Sequence, residues 1–384
     1  MNPAFYNFLA CPACGGFLAS SEFERSGNEI TEGLLTCGCG AWYPVTRGVA
    51  RMFAPGPLRN DDARFLEKWR DSLPKGISAE APAAGNDQVS QAKGSFGFKW
   101  KRQESWGMEG ASAEMMEQWL LPRYGWDGRD GYERYMKTRS VALDAGCGLG
   151  REALRMALAN PAMTVAGIEL SDCVDEAREH AVSRNIQNVF FVQGDINNPP
   201  FRHGAFDFII SEGVLHHTPD TKKAFLALLP LLKLGGELAF YVYRKKSPIR
   251  EYADDYVRSV IKDMPPEDAW KKMEPLTRLA EALSSLNAKV VVPEDVEVLG
   301  IKAGEHDIQR LIYYTMFKCY WNGAMSFDDN VLINYDWYHP VYAWRQTEEE
   351  VRGWLAEAGL VLTHMDVSDS GITARAALSQ GGER

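Results

Sequence analysis

No run of this sequence approaches the roughly 18 consecutive apolar residues that a membrane-spanning helix needs, so no transmembrane span is expected. The first residues, Met1-Asn2-Pro3-Ala4-Phe5-Tyr6-Asn7-Phe8-Leu9-Ala10-Cys11, have no basic flank ahead of the apolar ones. That argues against a signal peptide and predicts a cytoplasmic protein. Positive charge is in deficit: 42 Lys and Arg stand against 52 Asp and Glu, a net of −10. Phosphate backbones are bound by neutralising them with basic side chains, so a broad nucleic-acid surface is disfavoured. Internal repeats and low-complexity tracts are absent, and 45% hydrophobic with 24% charged residues is the balance of a folded soluble chain. At 384 residues there is room for two domains, or for one large domain with additions and a real pocket.

Cysteine is sparse over most of the chain: only Cys147, Cys173 and Cys319 lie beyond the first forty residues. The other four crowd together as Cys11-Pro-Ala-Cys14-Gly-Gly and Cys37-Gly-Cys39-Gly. In a reducing compartment two close thiol pairs separated by a loop favour tetrahedral zinc over two disulfides. With short strands at 29–35 and 41–45, residues 1–55 are expected to form a zinc ribbon on Cys11, Cys14, Cys37 and Cys39. The second pair is C-x-C where C-x-x-C is usual, which leaves open whether both thiols reach the metal. Residues 56–95 are rich in Pro, Gly, Ala and polar residues and predict a linker or arm with a helix only over 61–73.

From residue 140 the pattern alternates. Strands are expected at 141–144, 164–169, 189–193, 206–211 and 237–243, with helices over 152–159 and 174–184, which predicts a doubly wound parallel sheet. Thr347-Glu-Glu-Glu350 is a capping box that opens a final helix, and strands at 361–367 and 372–377 follow. Between them lies an insertion, 244–344, which holds much of the Trp and Tyr of the chain and is far longer than an ordinary connection. The geometry of open sheets puts it over the ligand crevice at the carboxyl ends of the strands, as a helical and aromatic substrate cap.

Asp144-Ala-Gly146-Cys147-Gly148-Leu-Gly150 follows a strand and opens a helix, so a ligand can approach its backbone. Its G-x-G-x-G spacing, with an acid two residues ahead, departs from the dinucleotide pattern and points to a cationic, amino-acid-bearing ligand. Glu169, at the end of the second of these strands, is placed to accept from ribose hydroxyls. Asp195 is placed to accept from an adenine amino group, with Ile196 packing on the ring.

With Ser211-Glu212-Gly213-Val214-Leu215-His216-His217 these motifs follow in register, and residues 140–243 together with 347–378 resemble a class I S-adenosylmethionine-dependent methyltransferase. The resemblance implies a Rossmann-like α/β fold of seven strands with the last antiparallel. It implies that S-adenosylmethionine is held by Asp144, Gly146, Cys147, Gly148, Gly150, Glu169, Leu170, Asp195, Ile196 and Glu212. The methyltransferase domain would comprise 96–243 and 345–384. Cys11-Pro-x-Cys14 with Tyr43-Pro44-Val45-x-x-Gly48-Val49 is similar to the small zinc ribbon that activates RNA and protein methyltransferases as a separate subunit. Here it could bind RNA, contact a protein partner or a second copy of the chain, or cover the sheet edge; the acidic charge favours the last two. Phe96-Gly-Phe98-x-Trp100 resembles a segment ahead of the sheet in many bacterial methyltransferases.

Methyl transfer to a hydroxyl or ammonium needs a positioned nucleophile and a proton acceptor. His216 and His217 follow the fourth strand, where acceptor and methyl group would meet. Two adjacent side chains cannot both face a pocket, and His216 is the favoured base. Tyr243 and Arg244, with Lys245 and Lys246, would anchor a phosphate or carboxylate at the cap's mouth, and Tyr338, His339 and Arg345 would lie nearest the substrate. The expectation is methyl transfer to O or N of a small polar metabolite or glycan precursor. The alternatives are an RNA base methyltransferase and a non-catalytic, cofactor-binding regulatory protein.

Overall fold

The computed structural model describes residues 1–53, 60–74, 77, 87–102 and 110–379. Of the expected linker, residues 56–59, 75, 76 and 78–86 lie outside the described residues; the rest holds the helix Asn60–Lys68 and the start of a second, Asp87–Arg102. The first strands are β1 (Leu18–Ser26), β2 (Glu29–Cys37), β3 (Trp42–Thr46) and β4 (Val49–Arg51); then come β5 (Val141–Ala145), β6 (Thr164–Glu169), β7 (Val189–Gln193), β8 (Phe206–Glu212) and β9 (Leu232–Tyr243). The insertion contributes a separate hairpin, β10 (Lys289–Val292) with β11 (Gly304–Asp307), and the chain returns to the main sheet with β12 (Leu360–Val367) and β13 (Gly371–Leu378). The main sheet has 11 strands in the order β1-β2-β3-β4-β7-β6-β5-β8-β9-β13-β12.

Its middle is the expected arrangement. β6, β5, β8 and β9 run parallel and nearly every residue of β6 and β7 is buried, as a sheet covered on both faces requires. β13 closes the series antiparallel to β9. One face is covered by helices Gly110–Arg123, Gly128–Met136, Arg151–Ala159 and Val174–Ser183. The other is covered by Thr221–Leu228 and Glu348–Glu357 and by the turn Pro3–Phe8. The capping box forms: Thr347 Oγ1 accepts from Glu350 N and Glu350 Oε2 from Thr347 N at 2.7 Å.

The sheet is larger than the seven strands expected because the ribbon is built into it. β4 pairs in parallel with β7, Ala50 opposite Val192 and Arg51 opposite Gln193. Phe5, Leu9, Ile30 and Val45 of the ribbon share one apolar core with Phe190, Val192 and Phe201, and Phe5 stacks on Phe190 with ring centres 4.5 Å apart. Arg51 is buried in this seam. It donates to Asp175 Oδ1 at 2.6 Å and to Gln193 Oε1 at 3.1 Å, and Arg47 also pairs with Asp175. The ribbon therefore covers the sheet edge and shares the sheet's core on one side, while on the other Phe23, Leu34 and Trp42 pack with Phe65 and Leu66.

A second difference lies ahead of the sheet. By sequence Ser95 to Lys101 reads as an aromatic alternation, yet these residues belong to a helix, Asp87–Arg102. Phe96, Lys99 and Trp100 fall at i, i+3 and i+4, the spacing of one helix face, and all three border the main cavity. The insertion folds into helices Pro248–Ile261, Pro266–Ser285, Ile308–Thr315 and Phe327–Tyr338 around its own core, which includes Trp270, Tyr335, Trp337 and Tyr338.

Because ribbon and sheet share a core, Arg51→Ala should lower stability by about 3 kcal/mol, since it removes one of the two cations on buried Asp175 and the donor to Gln193 Oε1. Chemical denaturation should show one transition for both; a separate transition for the ribbon would refute the shared core.

Candidate cofactor and substrate site

The four ribbon sulfurs lie within 4.8 Å of one another, with Cys14 and Cys37 3.5 Å apart and Cys11 and Cys39 3.7 Å apart. Zinc–sulfur bonds of about 2.3 Å hold the corners of a tetrahedron about 3.8 Å apart, so the quartet fits one zinc ion, and the C-x-C pair brings both its thiols to the cluster. Gly16 is needed beside it: a Cβ there would lie 3.2 Å from both Cys14 and Cys37 Sγ. The knuckle also rests on the loop after β7, for Ala10 N donates to Pro200 O at 3.0 Å and Asn198 Nδ2 to Pro12 O at 2.8 Å.

At the carboxyl ends of β5 to β8 lies a cavity of about 580 Å³, of a size to hold a cofactor with a small acceptor. Its floor is the turn after β5. Gly146 and Gly148 have φ of +90° and +53°, and an added Cβ would meet Val214 Cγ1 at 2.4 Å and Trp100 Cε2 at 3.2 Å. Only glycine fits this cradle. Asp144 is buried and accepts from Ala153 N at 2.9 Å, tying strand to helix, and burial beside Glu152 raises its carboxyl well above the usual range. Glu169 accepts from Ser171 N through Oε1 at 2.8 Å and from Gly148 N through Oε2 at 3.0 Å. Each oxygen keeps a second lone pair, so the carboxylate is aimed and can still accept from a ligand. Asp195 Oδ1 takes both Asn197 donors, at 2.8 and 2.7 Å, and Oδ2 has no hydrogen-bond partner among the described residues. Cys147, Leu170 and Ile196 also border the cavity.

Glu212 borders it too, but is already engaged. Arg123 donates to it at 2.7 Å and the Tyr124 hydroxyl at 2.5 Å. Arg123 is buried, stacked 3.4 Å over the Trp119 ring. Burial against Glu212 holds the Tyr124 phenol well above its ordinary pKa, so it stays a donor. No local pattern in the sequence marks this pair.

The two histidines separate. His217 borders the cavity, whereas His216 is fully buried behind it, its ring centre 3.7 Å from that of Tyr243. Neither His216 nitrogen has a hydrogen bond of normal geometry, the Tyr241 backbone offering only a weak approach. His217 Nδ1 lies 2.7 Å from the Tyr342 carbonyl oxygen. A carbonyl only accepts, so Nδ1 carries the proton and Nε2 the lone pair. Burial lowers the His217 pKa to about 4.

Of the residues expected at the substrate, Tyr243 and Lys246 border the cavity, whereas Arg244, Tyr338, His339 and Arg345 face elsewhere. Arg244 reaches the Ser368 carbonyl. Tyr338 is buried, bonded to Asp254 and to the Lys318 backbone. His339 bridges Ser95 Oγ at 2.7 Å and Met264 O at 3.0 Å. Arg345 pairs with Glu251 and Asp255. Each of these is thus held by partners away from the cavity. The cap side of the cavity is instead bordered by Lys246, Arg250, Arg310, Lys318 and Asp336, of which only Lys246 stands in a segment the sequence singled out for binding.

Strand order, glycine cradle and aimed carboxylates define a nucleotide-cofactor-binding α/β enzyme class. Residues 137–309 match the family model for a methyltransferase domain, and residues 2–48 the model for Trm112p-like protein. The chain thus joins a class I S-adenosylmethionine-dependent methyltransferase domain to an N-terminal zinc-ribbon domain. It is similar to 27-O-demethylrifamycin SV methyltransferase of Amycolatopsis mediterranei, 36% identical over 99 residues, which are 25% of this chain and 36% of that protein. It is also similar to trans-aconitate 2-methyltransferase of Deinococcus radiodurans, 32% identical over 100 residues, 26% of this chain and 36% of the relative. The matches span little more than a third of either relative. A solved structure of magnesium protoporphyrin IX methyltransferase from Synechocystis superimposes with a TM-score of 0.41 at 13% identity, over 78% of this chain and 100% of that one, a likeness too loose to inform function.

Elemental analysis should find about one zinc per chain. Since the knuckle holds the loop that carries Asp195, the chelated protein should bind S-adenosylhomocysteine more weakly; undiminished affinity would show the two sites to be uncoupled. Gly146→Ala should abolish that binding, read by calorimetry, while the zinc content stays unchanged.

Proposed function

We propose that this protein transfers a methyl group from S-adenosylmethionine to an O or N atom of a small polar acceptor, a metabolite or glycan precursor. The observation that carries this is one cavity that runs from the glycine cradle to the inner face of the cap. The cradle, Glu169 and Asp195 would hold the cofactor, whose sulfonium supplies an electrophilic methyl group. The insertion would close over the acceptor and exclude water. The net charge of −10 speaks against an RNA acceptor, and the two relatives are named for small-molecule acceptors.

The chain's own part in the chemistry is positioning and proton removal. His217 is the better-placed base. It is neutral at physiological pH, its tautomer is set by the Tyr342 carbonyl, and Nε2 is the nitrogen that would take the acceptor's proton. The imidazolium so formed would lie in the field of Asp336, which favours the charged ring. His216, with no route to the cavity, packs beneath Tyr243 and His217.

Incubation with methyl-labelled cofactor and cell extract should put label in the small-molecule fraction; label removed by nuclease would overturn the proposal. With an acceptor in hand, His217→Ala should cut kcat by about a hundredfold or more with cofactor affinity unchanged. Because burial depresses the His217 pKa, activity should persist on acidification through its ordinary value of 6.5 and fall only as the pH nears about 4. An acidic limb at the ordinary value would remove His217 from the role.

A further inference from the structure

The charged groups around the cavity differ between its ends. On the sheet side stand Asp144, Glu152, Glu169, Asp195 and Glu212, with Arg151 paired to Glu152; on the cap side stand Lys246, Arg250, Arg310 and Lys318. Three of the four cations gather about one indole: Lys318 Nζ, Arg250 Cζ and Lys246 Nζ lie 4.7, 5.2 and 5.8 Å from the Trp337 ring centre. Arg250 is answered by Asp254, at 2.6 Å. That buried carboxylate is used up, because it also accepts from Trp337 Nε1, the Tyr338 hydroxyl and Lys318 N. Asp336, the acid bordering this end, is paired with Lys99 at 2.6 Å.

The remaining three cations make no ion pair among the described residues. Lys246 donates to the carbonyls of Asp369 and Ser370, and Arg310 to that of Trp321. Lys318 is 6% exposed, borders the cavity, and its Nζ has no hydrogen-bond partner among the described residues. An ammonium that opens on a cavity from a largely buried side chain, with no ion pair of its own, is placed to receive an anion. The strain is legible in both lysines: burial, with Arg250 next, lowers each pKa to about 7, against the pull of Asp254 and of Asp336 on Lys318 and of Asp369 and Asp254 on Lys246.

We infer that the cap end of the cavity binds an anionic group of the acceptor, a carboxylate or phosphate, between Lys318, Lys246 and Arg310 against Trp337. The anion restores the missing counter-charge, and Tyr313, Tyr314 and Tyr320 form an apolar wall for the rest of the molecule. The inference that this ligand is the methyl acceptor rests on the proposed methyl transfer; the anion site itself rests on the cluster alone.

The test is calorimetric titration of the full-length protein, saturated with S-adenosylhomocysteine, with benzoate, phenyl phosphate and the neutral isostere benzamide. At least one anion should bind about tenfold or more tighter than benzamide, and whichever is tighter distinguishes a carboxylate from a phosphate site. Its affinity should weaken as the pH rises through about 7, where the lysines lose their protons. Lys318→Gln should lose about tenfold in anion affinity and Lys318→Arg should retain it. Unchanged S-adenosylhomocysteine affinity in both variants shows the fold intact. Equal binding of benzamide, no saturable binding of either anion, displacement of the anion by S-adenosylhomocysteine, or an unaffected Lys318→Gln each overturns the inference. Failure to bind S-adenosylhomocysteine at all sinks the methyltransferase reading instead, and the same titrations on the unliganded protein still decide the anion site.

Discussion

Arg51 lies where β4 meets β7, buried between Asp175 and Gln193, and much of the molecule depends on that seam. A buried guanidinium is tolerated only with its donors satisfied, so the pairing fixes both the register of the ribbon on the sheet and the end of β7. Gln193 in turn leads into the loop with Asp195 and Ile196, and Met52 N binds the Gln193 carbonyl at 2.7 Å. The metal quartet, the sheet edge and one wall of the cofactor cavity thus form a single mechanical unit. An exposed parallel edge would invite association with other chains; here the chain's own β4 covers it.

The cavity repeats that logic of satisfied and unsatisfied charge. On the sheet side Glu169 is aimed by backbone donors and keeps lone pairs for a ligand, whereas Glu212 is held by Arg123 and Tyr124. On the cap side Arg250 and Tyr338 are satisfied within the insertion and His339 by Met264 and by Ser95 ahead of the sheet, whereas Lys318 Nζ has no hydrogen-bond partner among the described residues. Side chains with complete partners build the walls. Those with unspent hydrogen-bonding capacity mark where a ligand is expected.

Much of this was legible in the sequence where the signal is local. The strand–glycine turn–helix at 141–159 and the capping box at Thr347 form as their spacing dictates, because each is completed within about twenty residues. The helix through Phe96 and Trp100 was misread as an alternation, since four aromatic and charged residues fit either period over so short a run. The substrate residues failed for another reason. Tyr338, His339 and Arg345 are polar and sit among aromatics, yet Asp254, Met264 and Glu251, which satisfy them, are 75 to 94 residues away in the chain.

By itself the sequence determined the four-cysteine cluster, the glycine cradle and the alternation of strands with helices from residue 141, all set by short-range spacing and backbone conformation. Only the tertiary structure decided that the ribbon extends the sheet, that His217 and not His216 borders the cavity, and that the cap end is cationic. Those outcomes depend on which buried polar groups find partners across the fold. Partnership between residues distant in the chain leaves no periodic trace: nothing in the sequence around Arg345 and Lys318 says that the first meets two carboxylates and the second none.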